Sequence, residues 1–279
     1  MQLASVVGHV PLGERSRMAL GHTELLEAVA ELAQLAASVA LQRFREGVVC
    51  ETKNDGSPVT DADRAAEAAA REWLGRFAPG DAIVGEEFGT SNAGAARCWY
   101  LDPIDGTRSF VRGVPLWGSV VAVEEAGTVL AGAICCPVTG DLVAAALGQG
   151  CWHNGARACV SRVARVSAAT ILATDFRFGT DLERRERWNQ LAERVALARS
   201  WGDCYGYVLV ATGRAELMVD HRLNAWDCAP LLPIVSEAGG VITDWTGEVR
   251  VGRDAVATNA RLARELRAAL GVPCRTGSY

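Results

Sequence analysis

Two carboxylates three positions apart, Asp102 and Asp105, stand in the run Trp99-Tyr100-Leu101-Asp102-Pro103-Ile104-Asp105-Gly106-Thr107. An apolar strand ends there, broken by Asp102-Pro103, and a turn begins. Pro103 has a fixed φ and no N–H, which stiffens the turn. Such a turn can aim both acids and the Ile104 carbonyl into one place. Gly106 lets the backbone approach a ligand closely, Thr107 adds a hydroxyl, and successive N–H groups after Asp105 can cradle an anion. An all-oxygen donor set of this kind suits a hard cation, Mg²⁺ or Mn²⁺. Taken alone, the motif also reads as an Asp-Pro turn with a capping aspartate.

Four further acids bear on it. Glu86 and Glu87 follow Ala82-Ile83-Val84-Gly85, a short strand; adjacent acids at a strand end repel unless a cation or solvent relieves them. Asp63 lies three residues after Thr60, where a capping box would hold it at the positive end of a helix. The same placement would fix a carboxylate rigidly enough to act as a base towards a water. Asp227, in Asn224-Ala225-Trp226-Asp227, stands at the mouth of another helix, and capping is again its plainer reading. Phosphatase signatures of the D-x-D-x-T kind, P-loops and EF-hand loops are absent from the sequence.

The elements that must position these groups can be read from periodicity. Residues 1–21 carry no clear period and read as a loose leader. Thr23 opens a long helix through Leu25, Val29, Leu32, Leu35 and Val39, ended by Arg43 to Gly47. After a loop at Lys53–Pro58, Thr60 starts a second helix that runs to Phe77 and stops at Pro79-Gly80. Runs 119–123, 129–136 and 141–147, separated by turn residues, predict an antiparallel meander. The second half alternates: strand 171–173, helix 181–198, an apolar run 205–212, strand 217–219, a helix from Trp226 to Ala238, and strand 241–243. Pro230 and Pro233 should kink or tighten that last helix. The alternation predicts a layered mixed sheet, with a boundary near residue 160 between halves 1–160 and 161–279.

Composition narrows the class of function. Of 279 residues, 49% are hydrophobic and 22% charged, as in an ordinary globular chain. A net charge of −5 lacks the basic field that phosphate-backbone binding needs, so nucleic acid is not expected as a partner. Nine cysteines form no C-x-x-C pair, and the four histidines are scattered, which disfavours zinc and a disulfide framework. They read as small buried hydrophobes in a reducing compartment. Without a membrane span or a signal peptide, the sequence predicts a cytoplasmic protein.

Three blocks in order, G-E-E, D-P-I-D-G-T and W-D-x-A with E-A-G-G downstream, resemble the inositol monophosphatase-like, Mg²⁺-dependent phosphatases over residues 23–270. Segments 52–64, 109–115 and Trp201-Gly202-Asp203-Cys204-Tyr205-Gly206-Tyr207 look like the histidinol-phosphate phosphatase branch found in actinobacteria. The resemblance implies a layered α/β/α/β/α sandwich, usually a homodimer, acting on a small phosphorylated metabolite. It matches Glu86, Asp102 and the Ile104 carbonyl to a first metal site, and Asp102, Asp105 and Asp227 to a second, with Glu86 also touching a third ion. It matches Asp63 and Thr107 to the pair that activates water, Gly106 and Thr107 to the phosphate cradle, and Asp220 to a substrate contact. Asp203 and Asp220 could then pair with the ammonium and imidazole of L-histidinol phosphate, an intermediate of histidine biosynthesis. Inositol 1-phosphate or another sugar phosphate is the alternative substrate, and a non-catalytic divalent-cation-binding protein the alternative of another class. Segment 175–188, with Asp175, Arg177, Asp181, Arg184 and Arg185, matches no family pattern.

Overall fold

A computed structural model describes residues 20–46, 50–52 and 58–273. The expected leader up to Ala19, the end of the first helix at Gly47, and most of the loop after Thr52 lie outside them. The chain opens with α1 (His22–Glu46), a ribbon of β1 (Cys50–Thr52) and β2 (Pro58–Thr60), and α2 (Asp61–Phe77). There follow β3 (Ala82–Gly85), β4 (Gly89–Ser91), β5 (Arg97–Asp105) and the short α3 (Thr107–Phe110). Next come β6 (Gly118–Glu125), β7 (Thr128–Cys136), β8 (Asp141–Ala146), β9 (Gly150–His153) and β10 (Ala156–Arg157). Strands β3 to β10 form an eight-stranded sheet in the order β10-β9-β8-β7-β6-β5-β3-β4, antiparallel except between β3 and β5.

The rest of the chain adds β11 (Thr170–Ala173), α4 (Leu182–Ala192), β12 (Leu197–Arg199), α5 (Asp203–Ala211) and β13 (Leu217–Asp220). It ends with α6 (Ala225–Cys228), α7 (Leu231–Glu237), β14 (Gly240–Thr243), β15 (Ala255–Asn259) and α8 (Ala263–Leu270). Its five strands make a second sheet, ordered β12-β11-β13-β15-β14.

Five layers result. On the outside of the large sheet, Leu25, Val29, Leu32 and Leu74 of α1 and α2 pack on Trp99, Val121, Val123 and Ala133. Between the sheets, Tyr207, Val208, Leu231 and Ile234 of α5 and α7 meet Val120, Ile134 and Val143 on one side and Leu172, Met218 and Ala257 on the other. Outside the small sheet, Trp188 and Leu266 of α4 and α8 cover Ile171, Val219 and Val256. Strand β6 shows why its sequence is apolar without alternation: Val120 faces the inner helices, while Val121 and Val123 face α1. The expected α/β/α/β/α sandwich is the fold.

Several local expectations need correction. The strand before the aspartates does not end at Asp102-Pro103. It runs to Asp105, with a register shift that leaves Asp102 opposite Val120 and Asp105 opposite Gly118. A bulge has no ladder hydrogen bond to lose at Pro103, so the proline is tolerated. The helix expected over 181–198 stops at Ala192, and Leu197–Arg199 instead pair in parallel with β11, an edge the local pattern cannot reveal. The apolar run 205–212 is the helix α5, apolar all round because it lies between two sheets.

The helix expected from Trp226 to Ala238 is two helices. Pro230 caps α7 with φ −64°, and Pro233 falls in its first turn, where N–H groups lack helical partners anyway. Cys98, Cys135, Cys136, Cys151, Cys159, Cys204 and Cys228 are free, and all but Cys98 and Cys159 are buried.

Candidate active site

Parallel pairing of β3 with β5 sets Gly85 beside Leu101, so Glu86, the first residue past β3, comes next to Asp102, which is still within β5. The Glu86 N–H donates to the Leu101 carbonyl (3.1 Å). Within the bulge the Ile104 N–H donates to Asp102 Oδ1 (2.9 Å), and the Ser119 hydroxyl holds the Pro103 carbonyl (2.6 Å). Gly106 has φ +87°, and a Cβ there would come within 3.1 Å of the Leu116 carbonyl and 3.2 Å of Asp203 Oδ2. Glycine is therefore required by both conformation and space. The Thr107 hydroxyl donates to the Ile104 carbonyl (3.0 Å), closing the turn.

The second half brings the remaining acids. At the start of α5 the Cys204 N–H donates to Asp105 Oδ2 (2.5 Å), while the Asp203 N–H donates to Thr174 Oγ1 (2.8 Å). Asp203 itself adopts φ +52°, a conformation that costs a non-glycine residue energy and clusters at functional sites. Asp227, in the first turn of α6, accepts from the Asn224 N–H (2.7 Å) in a capping box. One carboxylate oxygen from each of Asp102, Asp105 and Asp227 lies within 4.8 Å of the others, a donor set able to hold a divalent cation.

A cavity of about 410 Å³ opens here, lined by Glu86, Asp102, Ile104, Asp105, Gly106, Thr107, Asp203, Asp220 and Asp227. Ten residues were expected at the site, and Asp63 is the one that does not line it. Asp63 is buried in α2, where Oδ2 accepts from the Thr60 N–H (2.8 Å) and hydroxyl (2.6 Å), completing the expected capping box. Arg108, Thr174, Tyr207 and Arg222 also line the cavity. None of these four was singled out from the sequence. Tyr207 sat in the motif Trp201–Tyr207 without a role, and only the fold turns its hydroxyl onto Asp220 Oδ2 (2.9 Å).

Charge is concentrated here at a cost. Burial, then Glu86, Asp227 and Asp105, hold the Asp102 carboxyl well above the usual carboxylate range. Burial, Asp203 and Asp227 do the same to Asp105. Burial pushes Asp227 up to about 6 despite the Asn224 hydrogen bonds, and pushes Asp203 up to about 6 against the pull of Arg108. Asp220 rises to about 8, chiefly by burial, with Asp203 adding to it and the Thr174 and Tyr207 hydrogen bonds opposing. Protons or cations must relieve such a cluster. The oxygen-only chemistry of these donors fits Mg²⁺.

Segment 175–188 does not line the cavity but packs through Phe178 on His221, between the lining residues Asp220 and Arg222. Phe178 is buried against Trp188, Trp245 and His221, next to Asp220 and Arg222 in the chain. Arg184 lies over the Trp245 ring, 4.4 Å from its centroid.

Known proteins resemble this chain in sequence and in fold. The class is that of metal-dependent phosphoric monoester hydrolases. More particularly, the chain belongs to the Inositol monophosphatase family, whose profile matches residues 22–271. A histidinol-phosphatase of Chlorobaculum parvum is 41% identical over 88% of this chain and 96% of its own length. One from Mycobacterium tuberculosis is 39% identical over 88% and 97%. Among solved structures, the extragenic suppressor protein suhB of Bartonella henselae superposes with a TM-score of 0.82 at 25% identity, covering 88% of this chain and 97% of its own. An inositol monophosphatase of Zymomonas mobilis gives 0.79 at 29% identity, over 91% and 100%. Among the described residues no helix is long and apolar enough to cross a membrane.

Proposed function

We propose that this protein hydrolyses L-histidinol phosphate to L-histidinol and inorganic phosphate in histidine biosynthesis, using Mg²⁺ or, less suited, Mn²⁺. Glu86, Asp102, Asp105, Asp227 and the Ile104 carbonyl would hold two or three ions. The N-terminal half, 1–160, supplies most of these donors, and the C-terminal half, 161–279, supplies Asp227 and the substrate contacts. When bound, the ions neutralise the phosphate, acidify a water and stabilise the leaving alkoxide. The protein's own groups do the rest. The backbone N–H groups of Gly106 and Thr107 receive the phosphate oxygens. The Thr107 hydroxyl donates to the Ile104 carbonyl and keeps lone pairs to accept a hydrogen bond from the attacking water, which orients it. Asp63 does not line the cavity, so its part in activating that water would have to pass through Thr107.

The observation that carries the choice of substrate is the acidic pair Asp203 and Asp220 in the same cavity. At about 8, Asp220 keeps its proton near neutrality unless a cation stabilises the charged form. The ammonium and imidazole of histidinol phosphate supply that cation, whereas a polyol offers only hydroxyls. Histidinol-phosphatases at 39–41% identity support the same reading. A cytoplasmic homodimer completes the proposal, and light scattering at twice 29.6 kDa checks the dimer.

Phosphate release from histidinol phosphate and inositol 1-phosphate, with Mg²⁺ and after chelation, tests the function. Histidinol phosphate should win by about 100-fold or more in kcat/KM, because the acidic pair is left unpaired by the polyol. Faster turnover of inositol 1-phosphate would overturn the substrate, and Mg²⁺ binding without phosphate release would overturn the enzyme.

A further inference from the structure

The turn that presents Glu86 is held from beneath by a side chain of α2 outside the cavity. Glu67 is 0% exposed. Its Oε2 accepts from the Glu87 N–H (2.7 Å) and its Oε1 from the Phe88 N–H (3.2 Å), the two residues that follow Glu86. Oε1 also accepts from Arg71 Nε (2.7 Å), one helical turn on. Arg71 continues the clamp: Nη1 donates to Ser91 Oγ (3.2 Å), Nη2 to the Gly89 carbonyl, and the guanidinium lies 5.9 Å from the Phe88 ring centroid. Gly85, just before Glu86, has no room for a side chain, since a Cβ would come within 2.0 Å of Glu67 Oε1. Backbone, acid and cation therefore interlock at both ends of the turn over 86–88.

We infer that Glu67, seconded by Arg71, is a positioning residue that presets Glu86 for the divalent cation. This rests on the reading of Glu86 as a cation ligand. The physical reason is general: a donor on a free turn loses backbone and side-chain entropy when it binds, whereas one held in place does not. Two charge-assisted hydrogen bonds, donated by the Glu87 and Phe88 N–H groups to a fully buried carboxylate, fix the turn, and α2 is itself fixed by its capping box. A carboxamide cannot replace Glu67, because one of its two ends is a donor and would face an N–H. Glu67 never touches the ion or the substrate, so its effect should fall on metal binding rather than on chemistry.

The test compares the parent with Glu67→Gln, Arg71→Gln and Glu86→Gln. Mn²⁺ binding to the metal-free proteins is followed by electron paramagnetic resonance, alongside Mg²⁺ activation of phosphate release and thermal unfolding. Glu67→Gln should weaken the tightest Mn²⁺ binding about tenfold or more, the range typical of residues that orient a metal ligand. The Mg²⁺ concentration for half-maximal rate should rise in parallel, and saturating Mg²⁺ should restore much of the turnover. Arg71→Gln should shift both in the same direction by less, and keeps the inference open to refutation if Glu67→Gln fails to fold. A folded Glu67→Gln protein with a lowered melting temperature but parental Mn²⁺ affinity would overturn the inference, as would parental affinity in Arg71→Gln if that is the only variant to fold. If Glu86→Gln itself binds Mn²⁺ like the parent, the underlying assignment of Glu86 fails instead, and the two failures are thereby told apart.

Discussion

Replacing Asp227 with asparagine should make the metal-free protein more stable while removing its response to Mg²⁺. Burial of Asp227, with the charge of Glu86 adding to it and the hydrogen bonds with Asn224 and Asp102 opposing, raises its carboxyl from 3.8 to about 6. At a pH above both values this corresponds to about 3 kcal/mol of charge strain in the folded state. Asparagine removes the charge and keeps an oxygen for the Asn224 N–H, but the weaker neutral bond gives back about 1 kcal/mol. A gain of about 2 kcal/mol is left at pH 8. The sign follows from the raised value: the stability that Asp227 contributes is present below about 4 and is lost as pH rises through about 6. The advantage of the variant should therefore grow from pH 4 to pH 8. Equilibrium urea unfolding in chelator, at both pH values and again with saturating Mg²⁺, measures all three effects. A variant less stable than the parent at pH 8 without metal, or one stabilised by Mg²⁺ as much as the parent, would refute the reasoning.

Mg²⁺ must displace the protons held by these acids, so its apparent affinity should rise between pH 6 and pH 8.5 in a competition titration, with protons released on binding. Tyr207→Phe removes the hydroxyl from buried Asp220 and should lower unfolding stability by about 1–3 kcal/mol. In steady-state kinetics it should also raise KM for histidinol phosphate more than it lowers kcat, since the hydroxyl orders a substrate contact rather than the reacting atoms. Gly132→Ala should destabilise by about 1–3 kcal/mol, because the new methyl would lie 2.6 Å from the Pro230 carbonyl and 2.7 Å from its Cα. Thermal melting followed by circular dichroism will show it.

What could be read from the sequence was whatever is local. The Thr60–Asp63 capping box, the start of α1, the stop of α2 before Pro79-Gly80, and the meander β6–β8 depend on neighbours in the chain and were visible in it. The grouping of the cavity acids came from the family resemblance, since no periodicity brings Asp227 to Asp102. What escaped notice depends on partners remote in sequence. Strand β12 exists because β11 offers an edge, and α5 is helical although its apolar run suits a buried strand equally well. Strand β15 and α8 were not read, although Ala263, Leu266 and Leu270 recur at helical spacing before Gly271. Glu67 looked like any acid in a capped helix until the fold brought the turn after β3 onto it.

The hydrogen bond from the Cys204 amide to Asp105 joins the end of a strand in the large sheet to the start of a helix that packs under the small one. A chain that has completed only its meander has Asp102 and Asp105 without Asp227, and no clasp across the seam. A cation bound by Asp102, Asp105 and Asp227 together would span that seam, because Asp227 comes from the other side of it.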